Sequence, residues 1–382
     1  MPDIMKRIGI ITILDITNFG SILQAYALGT IIESFGYKVV FINYWRQAFT
    51  TMNKVRTFLK DGSLGNIFKR SLYAISALTF YAALRIRIRH ILRNRFSFTR
   101  KFTSFDELKR HSPHLDVAIS GSDQIWNSSY NEGIDYAFFL DFVKCPRIAY
   151  AASSGVYKFD DSELDEIKTL LNKYSAISVR ESQTTDYLRS IGFPNTTHVL
   201  DPSLLLSADE WRRLLKIKTM NETSNKYLLI YSVERFNNDF IFSQAKKLAK
   251  EMNLKVYVVC ATYPVNVNKF KFDKIYSLAS ITTFLNLLNN ASFVVVSSFH
   301  GTAFSINFNK DFISISPNKF NIRMNSIMKQ FDLEERIIGE TFISNDHLNP
   351  INWNAVNNNL DLYRQESINF VRNSISAVLK ES

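Results

Sequence analysis

A short apolar run, then a polar loop, then an amphipathic stretch, repeated down the chain, leaves this sequence few folds to choose from. Ile8–Leu14 has the hydrophobicity of a strand buried on both faces. Asp15–Gly20 is a polar, glycine-containing loop, and Ile22–Phe35 carries apolar residues at helical spacing, with Gly36 placed to stop the helix. Val39–Ile42 supplies the next strand. A βαβ unit of this kind calls for parallel strands joined by a right-handed crossover.

The unit recurs. Val117–Ser120 reads as a strand followed by Gly121-Ser122-Asp123-Gln124, and Ile148–Ala151 as one followed by Ser153-Ser154-Gly155. Ile177–Val179 runs into Arg180-Glu181, and His198–Leu200 into Asp201-Pro202. Any one of these loops is an ordinary connection with capping residues. Five polar loops on the carboxyl edge of one parallel sheet point to a site, because ligands bind at that edge. After Leu206 a polar linker at Lys216–Lys226 leads to a second set: strand Tyr227–Val233, helix Phe240–Met252, strand Val256–Cys260, helix Ile281–Asn290. Strand Phe293–Val296 ends in Ser297–Thr302 before a further helix, and Phe312–Ile315 closes that core. The asparagine-rich Asn345–Asn359 reads as a loop and Leu360–Leu379 as a terminal helix. The expected fold is α/β, with two parallel-sheet, Rossmann-like domains facing a cleft. They span 1–206, with a basic insertion at 54–101, and 207–345; 346–382 adds a loop and helix.

With 382 residues the chain is long enough for two such cores. Its only cysteines, Cys145 and Cys260, have no metal-ligand or redox spacing, which suggests a reducing compartment. The early apolar run ends at Asp15 without a small-residue cleavage pattern, and no window of about 18 uncharged apolar residues occurs. A cytoplasmic protein is expected. The net charge of +11 comes from one place: residues 54–101 hold twelve Lys/Arg and a single acid, Asp61. One basic segment speaks for a local acidic partner rather than for nucleic acid. Within it Leu72–Leu84 is helical in composition, and Arg85–Arg89 alternates charged and aliphatic residues. A solvated helical insertion covering the sheet is the first expectation. The second is a peripheral contact with an anionic membrane at its inner face, where each cation contributes about 1 kcal/mol.

Laid side by side, the loops resemble the ordered blocks of the polysaccharide pyruvyl transferase family. Asn18-Phe19-Gly20-Ser21-Ile22-Leu23-Gln24-Ala25-Tyr26-Ala27-Leu28 is similar to the opening block and Gly121–Asn127 to the second. Tyr150–Gly155, Ser178–Glu181 and Val199–Leu206 are similar to three more. Ser298-Phe299-His300-Gly301-Thr302-Ala303-Phe304-Ser305 resembles the block in the second domain, with Arg323 as the arginine that follows it. Two departures stand out: Ser203 replaces a usual threonine, and Ser298 stands where some distant members carry an arginine. The resemblance implies the GT-B glycosyltransferase architecture, with acceptor on the first domain and donor on the second. It also implies transfer of a pyruvyl group from phosphoenolpyruvate to a saccharide, which the basic segment suits to being lipid-linked, in surface polysaccharide synthesis. No cofactor beyond the donor and no metal is implied.

That donor carries roughly three negative charges, which need fixed cations and oriented N–H groups. The turn at Ser298, Gly301 and Thr302 opening a helix is a phosphate seat. Arg180 and Arg323 are candidate bidentate clamps, one of them standing in for the arginine absent at Ser298. His300, at the same turn, is the candidate acid: the helix N-terminus lowers its pKa and a bound phosphate raises it again. Asp123 or Glu181 would accept a hydroxyl proton. Asn18, Gly20, Gln24, Gly121, Ser122 and Gln124 either line the cleft or cap and pack helices. Trp126 either stacks on a sugar or belongs to the core, and Asp201-Pro202 reads as fixing a turn. Two other readings share this fold class: a nucleotide-sugar glycosyltransferase and a non-catalytic carbohydrate-binding or scaffold protein.

Overall fold

The apolar runs form strands because flanking helices cover both faces of each sheet, so that no alternate residue has to meet water. A computed structural model describes residues 5–46, 59, 66–219, 226–233, 238–261, 267–315, 322–339 and 343–380. The first sheet holds β1 (Arg7–Ile11), β2 (Lys38–Phe41), β3 (Ser97–Phe98), β4 (Val117–Ser120), β5 (Arg147–Ala152), β6 (Ala176–Val179) and β7 (Thr197–His198). Their order is β3-β2-β1-β4-β5-β6-β7, parallel throughout. The second sheet holds β8 (Tyr227–Ser232), β9 (Lys255–Cys260), β10 (Lys274–Tyr276), β11 (Phe293–Val296), β12 (Phe312–Ile315) and β13 (Ile337–Ile338). Its order, β10-β9-β8-β11-β12-β13, repeats the same logic. In both sheets the order reverses beside the first strand, between β1 and β4 and between β8 and β11. Each reversal opens a crevice at the carboxyl ends of the strands.

The helices that position the site are α1 (Phe19–Ser34), α2 (Ile67–Arg95), α3 (Ser182–Ser190), α4 (Ile281–Asn290), α5 (Phe299–Asn307), α6 (Ile322–Gln330) and α7 (Trp353–Lys380). Every residue of α1 from Phe19 to Gly29 is buried, so only the last turn of the helix, with Thr30, Glu33 and Ser34, meets solvent. The rest is covered all round, by α2 and by the second half of the chain. Phe19 stacks on Phe284 of α4 at 5.1 Å and meets Tyr231 of β8 edge-on at 5.8 Å. The two halves therefore share an apolar seam next to the crevice.

Several expectations change here. The stretch Asn345–Asn359 is not all loop: Asn345–Leu348 is a 3-10 turn, and α7 begins at Trp353. Buried Val356 and Leu360 outweigh the weak helix propensity of the asparagines. α7 returns to the first sheet, where the Ser367 hydroxyl accepts from Leu200 N at 2.9 Å and Phe370 meets Tyr150. The helix expected in the basic insertion is present and longer than Leu72–Leu84: Arg85–Arg89 lies inside the 29-residue α2, where Arg85 and Arg89 are one helical turn apart on one face. Basic residues near it turn to local partners, Arg95 to Glu33 at 2.9 Å and Arg100 to Glu107 at 3.3 Å. Lys54, Arg56, Lys60 and Asp61 of that segment, and residues 220–225 of the linker, lie outside the described residues. Among the described residues no helix is long and apolar enough to cross a membrane, and no cluster of His, Cys, Asp and Glu has metal-ligand geometry.

Candidate active site

The loops beyond β1, β4, β5, β6 and β7 meet the N-terminus of α5 across the crevice. Beyond β1, the Asn18 carboxamide caps α1 by accepting from Gly20 N at 2.8 Å and Ser21 N at 3.4 Å. This fixes Gly20 directly against the His300 ring: a Cβ there would stand 2.0 Å from His300 Cγ. No side chain fits in that gap. Gly20→Ala is accordingly expected to displace the imidazole and to cut turnover at least tenfold with the fold retained, which steady-state kinetics beside a thermal melt would check.

Beyond β4, Asp123 adopts a left-handed backbone (φ +80°), a costly conformation for a residue with a side chain. It is held there by the Ser21 hydroxyl, which donates to Oδ2 at 2.6 Å, and by Gln124 N, which donates to Oδ1 at 3.0 Å. Beyond β6, the guanidinium of Arg180 is wholly buried among acids. Its Nε donates to Glu181 Oε1 at 2.9 Å, its Nη1 to Asp201 Oδ2 at 2.8 Å, and its Nη2 lies 3.8 Å from Asp123 Oδ1. Phe299 of α5 covers it from the other side of the crevice, ring centroid 4.3 Å from Cζ. Ser153 donates to Glu181 at 2.7 Å and Ser122 to Asp201 at 2.9 Å. His300 closes the cluster, with Nε2 3.7 Å from Asp201 Oδ2.

Three buried polar atoms here have no hydrogen-bond partner: His300 Nε2, Arg180 Nη2 and Glu181 Oε2. Buried polar groups are normally paired, so three orphans in one crevice indicate a place for a polar ligand. Arg323, in the first turn of α6, is half-buried and engages no hydrogen bond or ion pair among the described residues, although Asp123 and Glu181 lie within its field. The electrostatics follow from burial and charge. Burial drives the His300 imidazole below its ordinary value; Asp201 and Asp123 work against this, while Arg180 and Arg323 add to it. Burial also resists ionisation of Asp123 and Asp201, but His300 and Arg180 beside them and the hydrogen bonds of Ser21 and Ser203 hold both carboxyls below their usual range. The cluster thus gathers Asp123, Glu181, Asp201, Arg180, Arg323 and His300, with burial pushing the imidazole towards its neutral form.

The structure brings together Gly20, Ser122, Asp123, Arg180, Glu181, Ser298, His300 and Arg323 of the residues singled out in the sequence, with Asn18 as the cap beneath. It moves others out. Trp126 is 2% exposed and stacks on Phe139 at 5.5 Å, with Tyr174 edge-on, so it is a core side chain. Thr302 is fully buried and bonded to Ser298 O and the Ser314 hydroxyl. Gly301 is pinched between the Ser298 hydroxyl, which accepts from its N–H, and Tyr231. Gln24 donates to Thr12 and to Ser21 O, Gln124 accepts from Asn127, and Gly121 packs on Ile11 and Thr12. These five support the loops. Arg180, expected as a clamp on a ligand, spends Nε and Nη1 on Glu181 and Asp201 and keeps only Nη2, 3.8 Å from Asp123 Oδ1, without a hydrogen bond. The sequence reading missed Asp201: its Oδ1 accepts from Ser203 N at 2.9 Å, as a turn residue should, while its Oδ2 faces Arg180 and His300. Ser21 and Ser153 were missed too, since a serine beside a strand end carries no signal of its own.

A crevice between two parallel Rossmann-like sheets, lined from both sides, defines the GT-B-like class of two-domain proteins. UDP-N-acetylglucosamine 2-epimerase from Rickettsia bellii shares the fold with a TM-score of 0.53 at 12% identity, covering 98% of this chain and 97% of that one. The glycosyltransferase SnogD from Streptomyces nogalater follows at 0.48 and 7% identity, covering 98% of both chains. The E. coli heptosyltransferase WaaC with ADP stands at 0.42 and 10%, covering 94% of this chain and 99% of that one. No match was found among curated proteins. The polysaccharide pyruvyl transferase family matches residues 18–319, and the chain belongs to that family.

Proposed function

We propose that this chain transfers the pyruvyl group of phosphoenolpyruvate to two hydroxyls of one saccharide, closing a cyclic ketal. The observation that carries the reading is His300 Nε2, buried at the N-terminus of α5 without a hydrogen-bond partner among the described residues, 3.7 Å from Asp201 Oδ2 and within the field of Arg323. The donor's phosphate and carboxylate are read against Arg323 and the α5 N-terminus, on the side of the second sheet. Their negative charge raises the pKa of the neighbouring imidazole, so His300 takes up a proton as the donor arrives. It then gives that proton to the methylene carbon, leaving a cationic centre at the adjacent carbon. One sugar hydroxyl attacks this centre and loses its proton to a carboxylate. Glu181 suits the task better than Asp123, because its Oε2 accepts no hydrogen bond among the described residues whereas each oxygen of Asp123 already accepts one. The carbon–oxygen bond to phosphate then breaks with its electron pair on phosphate. The second hydroxyl adds, its proton passes to the released phosphate, and the ring closes. Arg180 holds the three acids in place and lowers the pKa of Asp123 and Asp201.

Incubating the protein with phosphoenolpyruvate and a panel of galactosides, mannosides and glucosides tests this. Phosphate release that depends on one acceptor class, with a pyruvate ketal visible by NMR, is the expected result. Consumption of a nucleotide sugar with no use of phosphoenolpyruvate would replace the reading with glycosyl transfer.

A further inference from the structure

A second group of cations lies on the same edge of the first sheet, and the chemistry above does not use it. Trp45 follows β2 and Lys101 follows β3, beyond the carboxyl ends of both strands. Around the Trp45 ring stand Arg85 Cζ at 4.8 Å, Arg89 Cζ at 4.9 Å and Lys101 Nζ at 4.4 Å from its centroid. Three like charges round one indole repel one another, and the ring can compensate only part of that. Arg89 is 2% exposed, yet its Nε and Nη1 donate to nothing, and neither does Arg85 Nε. Its one hydrogen bond runs from Nη2 to the Asn43 carboxamide at 3.2 Å. Burial, with Arg93 and Arg85 adding repulsion, pushes the Arg89 guanidinium down to about 10. The carboxylate whose field reaches both arginines is Asp15, already matched by Arg46 through two bonds of 2.8 and 3.0 Å. A buried guanidinium with free donors, two further cations and, among the described residues, no acid of its own is built to receive an anion. A chain of hydrogen bonds leads from Asp15 towards the crevice: Arg46 donates to Asp15 and to Asn131, and Asn131 donates to Ile125 O, two residues beyond Asp123.

We infer that Arg85, Arg89 and Lys101 around Trp45 bind a phosphate or diphosphate group carried by the acceptor saccharide. The assignment to the acceptor rests on the pyruvyl-transfer reading; the anion site itself does not. Calorimetric titration of the full chain with inorganic pyrophosphate tests it without any turnover. Wild type should bind, and Arg85→Gln/Lys101→Gln, which changes two side chains outside the fully buried core, should bind about tenfold more weakly with an unchanged melt. Arg89→Gln should do the same if it folds. UDP and geranyl diphosphate run alongside separate nucleoside from lipid carriage by which of them binds more tightly than pyrophosphate. Equal affinity in wild type and the folded double variant overturns the inference. So does binding that survives in the double variant and is lost in Arg323→Gln, which would put the anion at the donor site. A chain that binds pyrophosphate as expected but ignores phosphoenolpyruvate would keep the site and discard the acceptor assignment.

Discussion

His300→Ala is expected to lower turnover by about 10²–10⁴-fold, the span usual for removing a positioned general acid. The ring is 6% exposed and its Nε2 hydrogen-bonds nothing, so its loss removes no structural bond. Truncation leaves a void beside Gly20 and Phe299 and should cost only a modest part of the stability. Circular dichroism and a melt close to wild type, with phosphate release nearly abolished, are the paired results expected. Full activity in a folded variant would remove His300 from the chemistry.

Arg180→Met is expected to have the largest effect on stability. The side chain is 0% exposed and faces Glu181 and Asp201, themselves 0% exposed, and Asp123. Methionine fills much of the volume but leaves three buried carboxylates without their cation. Removing one partner from such a cluster typically costs about 3–5 kcal/mol. The pH dependence gives the mechanism. In wild type the folded pKa values of Asp123 and Asp201 are depressed, so the stability they contribute is present above the unfolded carboxyl range and is lost only as pH falls through the folded values. In the variant, burial without a counter-charge raises those pKa values above the unfolded ones. The carboxyls then favour folding at low pH and oppose it as pH rises. The gap in melting temperature between wild type and variant should therefore narrow from pH 7.5 to pH 5. A gap that stays constant would mean that the cost is one of packing rather than of unpaired charge.

Much of this site was legible in the sequence because it is local. The strand–turn–helix around His300 and the polar loops beyond β4, β5 and β6 follow from hydrophobic period and turn chemistry within a few residues. What was not legible is tertiary. Arg180 looked like a free cation because two of its partners, Asp123 and Asp201, are remote in sequence and meet it only when the sheet assembles. Trp126 sits in a loop like a ligand-stacking residue, and nothing local reveals that Phe139 and Tyr174 close over it. β3 and β13 are two residues long and β10 three, too short to carry a period. The asparagines at the start of α7 argued for a loop, but burial of Val356 and Leu360 decided otherwise.

The central claim is a change of protonation: an imidazole kept neutral by burial in the free protein and charged by the arriving donor. NMR titration of the His300 ring, assigned among six histidines by its absence in His300→Gln, measures this directly. Without ligand the ring should titrate below the ordinary histidine value of about 6.5, and saturating phosphoenolpyruvate should move it upward. A ring that titrates at its ordinary value and does not respond to phosphoenolpyruvate would contradict the account.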